Sequence, residues 1–125
     1  MSMSVSETEA LFKIARGFLY WDRPPEFQML IEQYPSLITA FDNRVDGSTL
    51  LHIAIDAKNL VAVKMLIAAG ADVNAVNGLG STPVHIAARV GIDQITHALN
   101  TSGARYDIIN ERGYTPHQIA ERYFG

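Results

Sequence analysis

The 125-residue chain has 10 basic and 13 acidic residues, a net charge of −3 and a pI near 5.7, so it lacks the basic footprint that a nucleic-acid partner needs. With 48% apolar and 18% charged residues it suits one domain with a buried core and is neither disordered nor fibrous in composition. The absence of cysteine excludes disulfides, thiolate metal sites and a cysteine nucleophile together, and fits a cytoplasmic protein.

At the N-terminus, residues 1–7 offer neither a positive segment nor an apolar run of the kind a secretory signal uses. No run of about 18 apolar residues occurs anywhere, so no membrane partnership is expected and the protein should be soluble. Residues 4–20 are predicted to form a helix. Ser4 with Glu7, or Ser6 with Glu9, offers a capping box, and Leu11, Ile14, Ala15, Phe18 and Leu19 recur at the spacing of one buried face. Gly17 inside this helix weakens it. Residues 21–25 break the pattern. Pro25 then opens a second helix over 26–33, with Phe27, Leu30, Ile31 and Tyr34 on its apolar side.

From residue 43 the chain repeats itself. Thr49-Leu50-Leu51-His52-Ile53-Ala54 returns 33 residues later as Thr82-Pro83-Val84-His85-Ile86-Ala87, and 33 later again as Thr115-Pro116-His117-Gln118-Ile119-Ala120. Gly47, Gly80 and Gly113 keep the same step, as do Gly70-Ala71 and Gly103-Ala104. Each residue type has a local task. Threonine accepts a bond from a free N–H of the first helical turn, proline fits the first helical position, and glycine supplies tight turns and helix ends. Inner helices are therefore predicted over 50–57, 82–90 and 115–123. Outer helices follow over 60–68, with Val61, Val63, Leu66 and Ile67 apolar, and over 92–99, with Ile95, Ala98 and Leu99 buried. His97 is expected to be a partly exposed helix residue.

A 33-residue period carrying this motif resembles the ankyrin repeat family. The resemblance implies an all-α fold, a solenoid of stacked helix-turn-helix units with short hairpin loops, in a single domain over 1–125. Residues 43–75 and 76–108 are two full repeats, and 109–125 a C-terminal half-repeat cap with Glu121 and Arg122 solvated. Residues 4–41 are a divergent helical N-cap, since Leu30-Ile31 precedes Leu66-Ile67 by 36 residues rather than 33. Lys58 stands where the family has glycine between the helices, and Asn59 is expected to take the left-handed conformation. The resemblance makes His52 and His85 structural, bonding their repeat's threonine and neighbouring backbone. His117, one place ahead of that position, should face differently.

No catalytic constellation is present. There is no phosphate loop, metalloprotease motif or nucleophile elbow, and the carboxylate pairs Asp42/Asp46 and Asp72/Asp93 fall on loops and helix ends. The expectation is a non-enzyme with no cofactor and no metal. In the resembled family the concave surface binds, which points to the hairpin-tip residues Val45, Asp46, Ser48, Leu79, Ser81, Arg112 and Tyr114 and the inner-helix residues Asp56, Arg89, Val90, Arg122 and Tyr123. Aromatic and apolar side chains flanked by arginines are what a protein-binding patch uses. The expected function is a small adaptor, inhibitor or immunity-type protein, monomeric alone and binding one protein partner. The alternative is a scaffold or stabilising subunit of a larger or self-associated assembly.

Overall fold

The first helix begins where the sequence offers its cap. Ser4 Oγ accepts the Glu7 N–H at 3.1 Å and opens α1, Val5–Tyr20, in a computed structural model that describes residues 4–42 and 46–125. Asn43, Arg44 and Val45 of the first predicted hairpin tip lie outside the described residues. Arg23 and the following proline start α2, Pro24–Gln33, two residues before the expected span of 26–33. A 3-10 turn, Pro35–Ile38, closes this hairpin and buries Leu37.

Two helical pairs follow, α3 (Leu50–Asp56) with α4 (Leu60–Ala68), and α5 (Pro83–Val90) with α6 (Asp93–Thr101). The last helix is α7, Pro116–Phe124. Among the described residues there is no β-strand, only an isolated bridge between Phe41 and Thr49, and no helix is long and apolar enough to cross a membrane. The helices stand in two columns. α1, α3, α5 and α7 pack in succession as the inner column, and α2, α4 and α6 as the outer one. The first hairpin thus occupies one place in each column despite its different spacing.

The core lies between the columns. Leu50, Leu51 and Ile55 of α3, Val63 and Leu66 of α4, Ile95 and Leu99 of α6 and Phe27 of α2 are almost entirely buried. Each such side chain contributes roughly 1.5–3 kcal/mol of burial free energy.

Three local expectations need correction. The buried face of α1 is Phe12, Ala15 and Leu19, while Ile14 is 48% exposed, because the core meets the helix one residue further round than the simple apolar count implies. Between α3 and α4 it is Lys58, not Asn59, that takes the left-handed conformation, with φ 59°. Asn59 is instead the N-cap of α4: its Oδ1 accepts the Ala62 N–H and its Nδ2 donates to the Leu19 carbonyl. Val61 is half exposed, and Ala62 takes the buried place beside Val63.

Candidate functional site

The hairpin tips and inner helices are positioned by a bonding pattern that recurs at each threonine. Thr49 Oγ1 and the His52 ring close a capping box: the His52 N–H donates to Thr49 Oγ1, and the Thr49 N–H donates to His52 Nδ1 at 3.2 Å. The other ring nitrogen, Nε2, lies 2.8 Å from the Ser81 carbonyl in the following hairpin. A carbonyl only accepts, so Nε2 carries the proton and the ring is neutral. His85 repeats the arrangement with Thr82 and reaches the Tyr114 carbonyl at 3.0 Å. Both rings are buried, and burial lowers each pKa from its ordinary 6.5. With both nitrogens of each ring engaged, neither histidine is free to ligate a metal. Gln118 fills the third position, its Oε1 accepting the Thr115 N–H at 2.8 Å, while His117 is exposed and stacks on Tyr106.

The tips are stacked by backbone. The Gly78 N–H donates to the Asp46 carbonyl at 2.6 Å, and the Glu111 N–H to the Leu79 carbonyl at 2.9 Å. A methyl group at Gly47 would come within 2.9 Å of the Gly78 nitrogen, so this close approach requires glycine there. Inside each tip an Asp or Asn side chain organises the turn: Asp46 Oδ1 accepts from the Ser48 N–H, Asn77 Oδ1 from Leu79 and Ser81, and Asn110 Oδ1 from Arg112 and Tyr114.

Against this framework the twelve residues singled out from the sequence separate into groups. Ser48 and Ser81 are buried and belong to the hairpin framework, because their positions face the neighbouring hairpin rather than water. Val90 is half-buried against the core. Val45 lies outside the described residues. Leu79 and Tyr123 are 50% and 56% exposed, Arg112 is exposed, and Tyr114 and Asp46 are half-buried. Arg122 donates to the Tyr114 hydroxyl at 3.1 Å and lies over its ring, 5.8 Å from the centroid.

The remaining pair is joined by a residue that sequence reasoning missed. Arg89 and Asp56 form an ion pair at 2.7 Å, and the Tyr20 hydroxyl donates to the same carboxylate at 2.9 Å. Burial alone would raise the Asp56 pKa, but the bonds from Arg89 and Tyr20 outweigh it and hold it low. Tyr20 is pushed up to about 12, by burial first and then by that carboxylate. Tyr20 stands 36 residues before Asp56, the offset that separates the first hairpin from the repeats, so a ruler of 33 residues passes over it. Beside this triad is a cleft of about 170 Å³, with Ile53 and Ile86 in its lining and the Arg16–Asp42 ion pair, at 2.7 Å, on its edge. A larger groove of about 540 Å³ lies on the outer side between α4 and α6, lined by Lys64, Ile67, Gln94 and His97 among others. It contains none of the twelve partner-binding residues expected from the sequence.

Residues 37–87 match a family model described as ankyrin repeats (many copies). The chain is also similar to ankyrin repeat domain-containing protein 53 of Homo sapiens, 36% identical over 76 residues that make up 58% of this chain and 14% of that protein. A second relative is protein phosphatase 1 regulatory subunit 27 of Mus musculus, 36% identical over 78 residues, 62% of this chain and 51% of that protein. The chain therefore spans about half the length of the second relative and far less of the first. The family match takes in the first repeat, and the two helix columns carry the same unit onward to Phe124, which is the build of an ankyrin-repeat helical solenoid.

Proposed function

We propose that the protein is a non-enzymatic interaction module that binds one protein partner through its concave surface, as a small cytoplasmic adaptor, inhibitor or immunity-type protein. The observation that carries this reading is the exposure of Leu79 and Tyr123 beside Arg112 and the Arg122–Tyr114 pair, on a face whose polar framework is already satisfied. Large apolar and arginine side chains left in water over such a framework are what binding anchors are made of. The mouse relative, whose name marks it as a regulatory subunit, supports a role in binding rather than turnover.

The test is an alanine series measured by calorimetry against the partner recovered from the native source. Leu79→Ala should weaken the complex by about 2 kcal/mol or more and leave the thermal midpoint nearly unchanged, while Tyr114→Ala should weaken it as much with a small stability loss, since its half-buried ring holds Arg122. Arg89→Ala should also weaken it, with a small stability loss as Asp56 loses its partner. Lys64→Ala and Gln94→Ala, on the outer groove, should change little. Affinity carried by Lys64 and Gln94 instead would move the site to the outer helices and end this reading.

A further inference from the structure

Asn77-Gly78 is the chain's one asparagine-glycine pair, since arginine, leucine, alanine, threonine and glutamate follow the other asparagines. The pair has its own chemistry. An asparagine side chain can be attacked at Cγ by the backbone nitrogen of the next residue, and glycine, which has no Cβ, leaves that nitrogen uncrowded. Asn77 lies in the second hairpin tip and is 7% exposed. Its Oδ1 accepts from the Leu79 and Ser81 N–H groups at 2.9 and 3.0 Å, which fixes the amide and draws electrons away from Cγ. Its Nδ2 donates no bond among the described residues and is not a buried orphan, so solvent reaches it.

The attacking nitrogen is the part held back. The Gly78 N–H donates to the Asp46 carbonyl of the preceding hairpin at 2.6 Å, so it must break from Asp46 before it can turn toward the Asn77 side chain. The approach is tight from both partners. A methyl group at Gly47 would come within 2.9 Å of the Gly78 nitrogen, and one at Gly78 would lie 2.9 Å from the Asp46 oxygen. On its other side the same tip is tied to the third hairpin, where the Leu79 carbonyl accepts the Glu111 N–H. A change in backbone length at residue 77 therefore falls between two stacking bonds.

We propose that Asn77 is a deamidation site restrained by the Asp46–Gly78 bond, and that its slow conversion unfastens the middle tip from its neighbours. When the tip opens, the Gly78 nitrogen attacks Cγ, the Cγ–Nδ2 bond breaks, and Nδ2 leaves as ammonia with the proton that Gly78 gives up. A cyclic imide results. Water then opens it at one of two bonds. Cleavage between the Gly78 nitrogen and Cγ restores the ordinary backbone with an aspartate side chain, whereas cleavage at the main-chain carbonyl routes the backbone through Cβ and Cγ as isoaspartate. The two products act differently on the fold. Aspartate keeps an oxygen where Oδ1 stood, and Asp46 Oδ1 already accepts a tip N–H in this way from Ser48. Isoaspartate adds a methylene to the backbone and uses Cγ in the chain, so Leu79 and Ser81 lose their shared acceptor and the bonds to Asp46 and Glu111 fall out of register.

Peptide mapping of the purified chain, aged in warm neutral buffer, tests this by reading ammonia release together with aspartate and isoaspartate at position 77. The folded chain should convert about tenfold or more slowly than the chain unfolded in urea, because only the open tip reacts. Below the unfolding transition its rate should rise only shallowly with urea, since opening one tip exposes little surface. Gly47→Ala, which pushes the Gly78 nitrogen off Asp46, should raise the rate about fivefold or more with its helical circular dichroism kept, as losing one hydrogen bond does to an opening equilibrium. Where that variant does not fold, the urea series on the parent decides alone. Asn77→Asp should melt close to the parent, and the isoaspartyl fraction separated from aged parent should melt lower. A folded parent that converts as fast as the unfolded chain overturns the proposal, as does a rate that follows the globally unfolded fraction, or a folded Gly47→Ala chain that ages at the parental rate. So do an unchanged residue 77 in urea and an isoaspartyl fraction that melts with Asn77→Asp.

Discussion

His52 and His85 hold their places through what each ring nitrogen touches. In the folded chain Nδ1 accepts a backbone N–H and Nε2 donates to a carbonyl of the next hairpin, so a second proton would displace the accepted bond as well as place charge in the core. Burial lowers both folded pKa values below 6.5, which makes the unfolded chain the better proton binder as pH falls. Their contribution is therefore complete above about pH 7, declines as pH drops through the unfolded value, and levels off only below the lowered folded values. Denaturant midpoints measured across this window should fall on the acid side. Changing both residues to glutamine should flatten that slope, because Gln118 already shows that an amide oxygen keeps the threonine cap. An unchanged slope in the double variant would show that other groups carry it. These residues were legible in the sequence because each recurs with its threonine. Tyr20 was not, since it belongs to the first hairpin, where the 33-residue ruler does not apply.

Whole helices were legible wherever a cap and a stop repeat. α4 runs over the residues expected of it, and α5 and α7 start at the proline after the threonine. Discrepancies gather where one residue can serve two purposes. Asn59 suits either a left-handed turn or a helix cap, and the bonds to Ala62 and Leu19 decide for the cap, leaving Lys58 at φ 59°. A left-handed lysine costs about 1–2 kcal/mol, and the corresponding turn between α5 and α6 uses Gly91 at φ 78°. Lys58→Gly should therefore stabilise the protein by up to about 1 kcal/mol, after subtracting the greater chain entropy of unfolded glycine. Urea unfolding reads this directly, and a destabilised variant would mean that the lysine stem makes packing contacts worth more than the strain. The face of α1 was misread for a related reason. Both Phe12 and Ile14 fit an apolar stripe, and only packing against α2 and α3 selects the first.

At the scale of the molecule, stability in a stacked array is close to a sum of units and the contacts between neighbours, so the position of a junction decides how far its loss spreads. His52 joins the α3 hairpin to the next one at Ser81, with α1 and α2 on one side and α5 to α7 on the other. His85 joins the α5 hairpin to the strip before α7, and α7 has only α5 as its principal helical neighbour. Losing either ring leaves its threonine N–H without its acceptor and breaks the bond to the next hairpin, at about 1–3 kcal/mol, but the consequences should differ. His52→Ala should lower the midpoint of the whole transition. His85→Ala should first release the last segment, so that amide exchange in α7 quickens well before that of α3 and α4, whose protection follows global opening. Hydrogen exchange followed residue by residue distinguishes the two. Equal acceleration in α3 and α7 for His85→Ala would show that the array opens as one body, and that the end helix is bound more firmly than its single column contact implies.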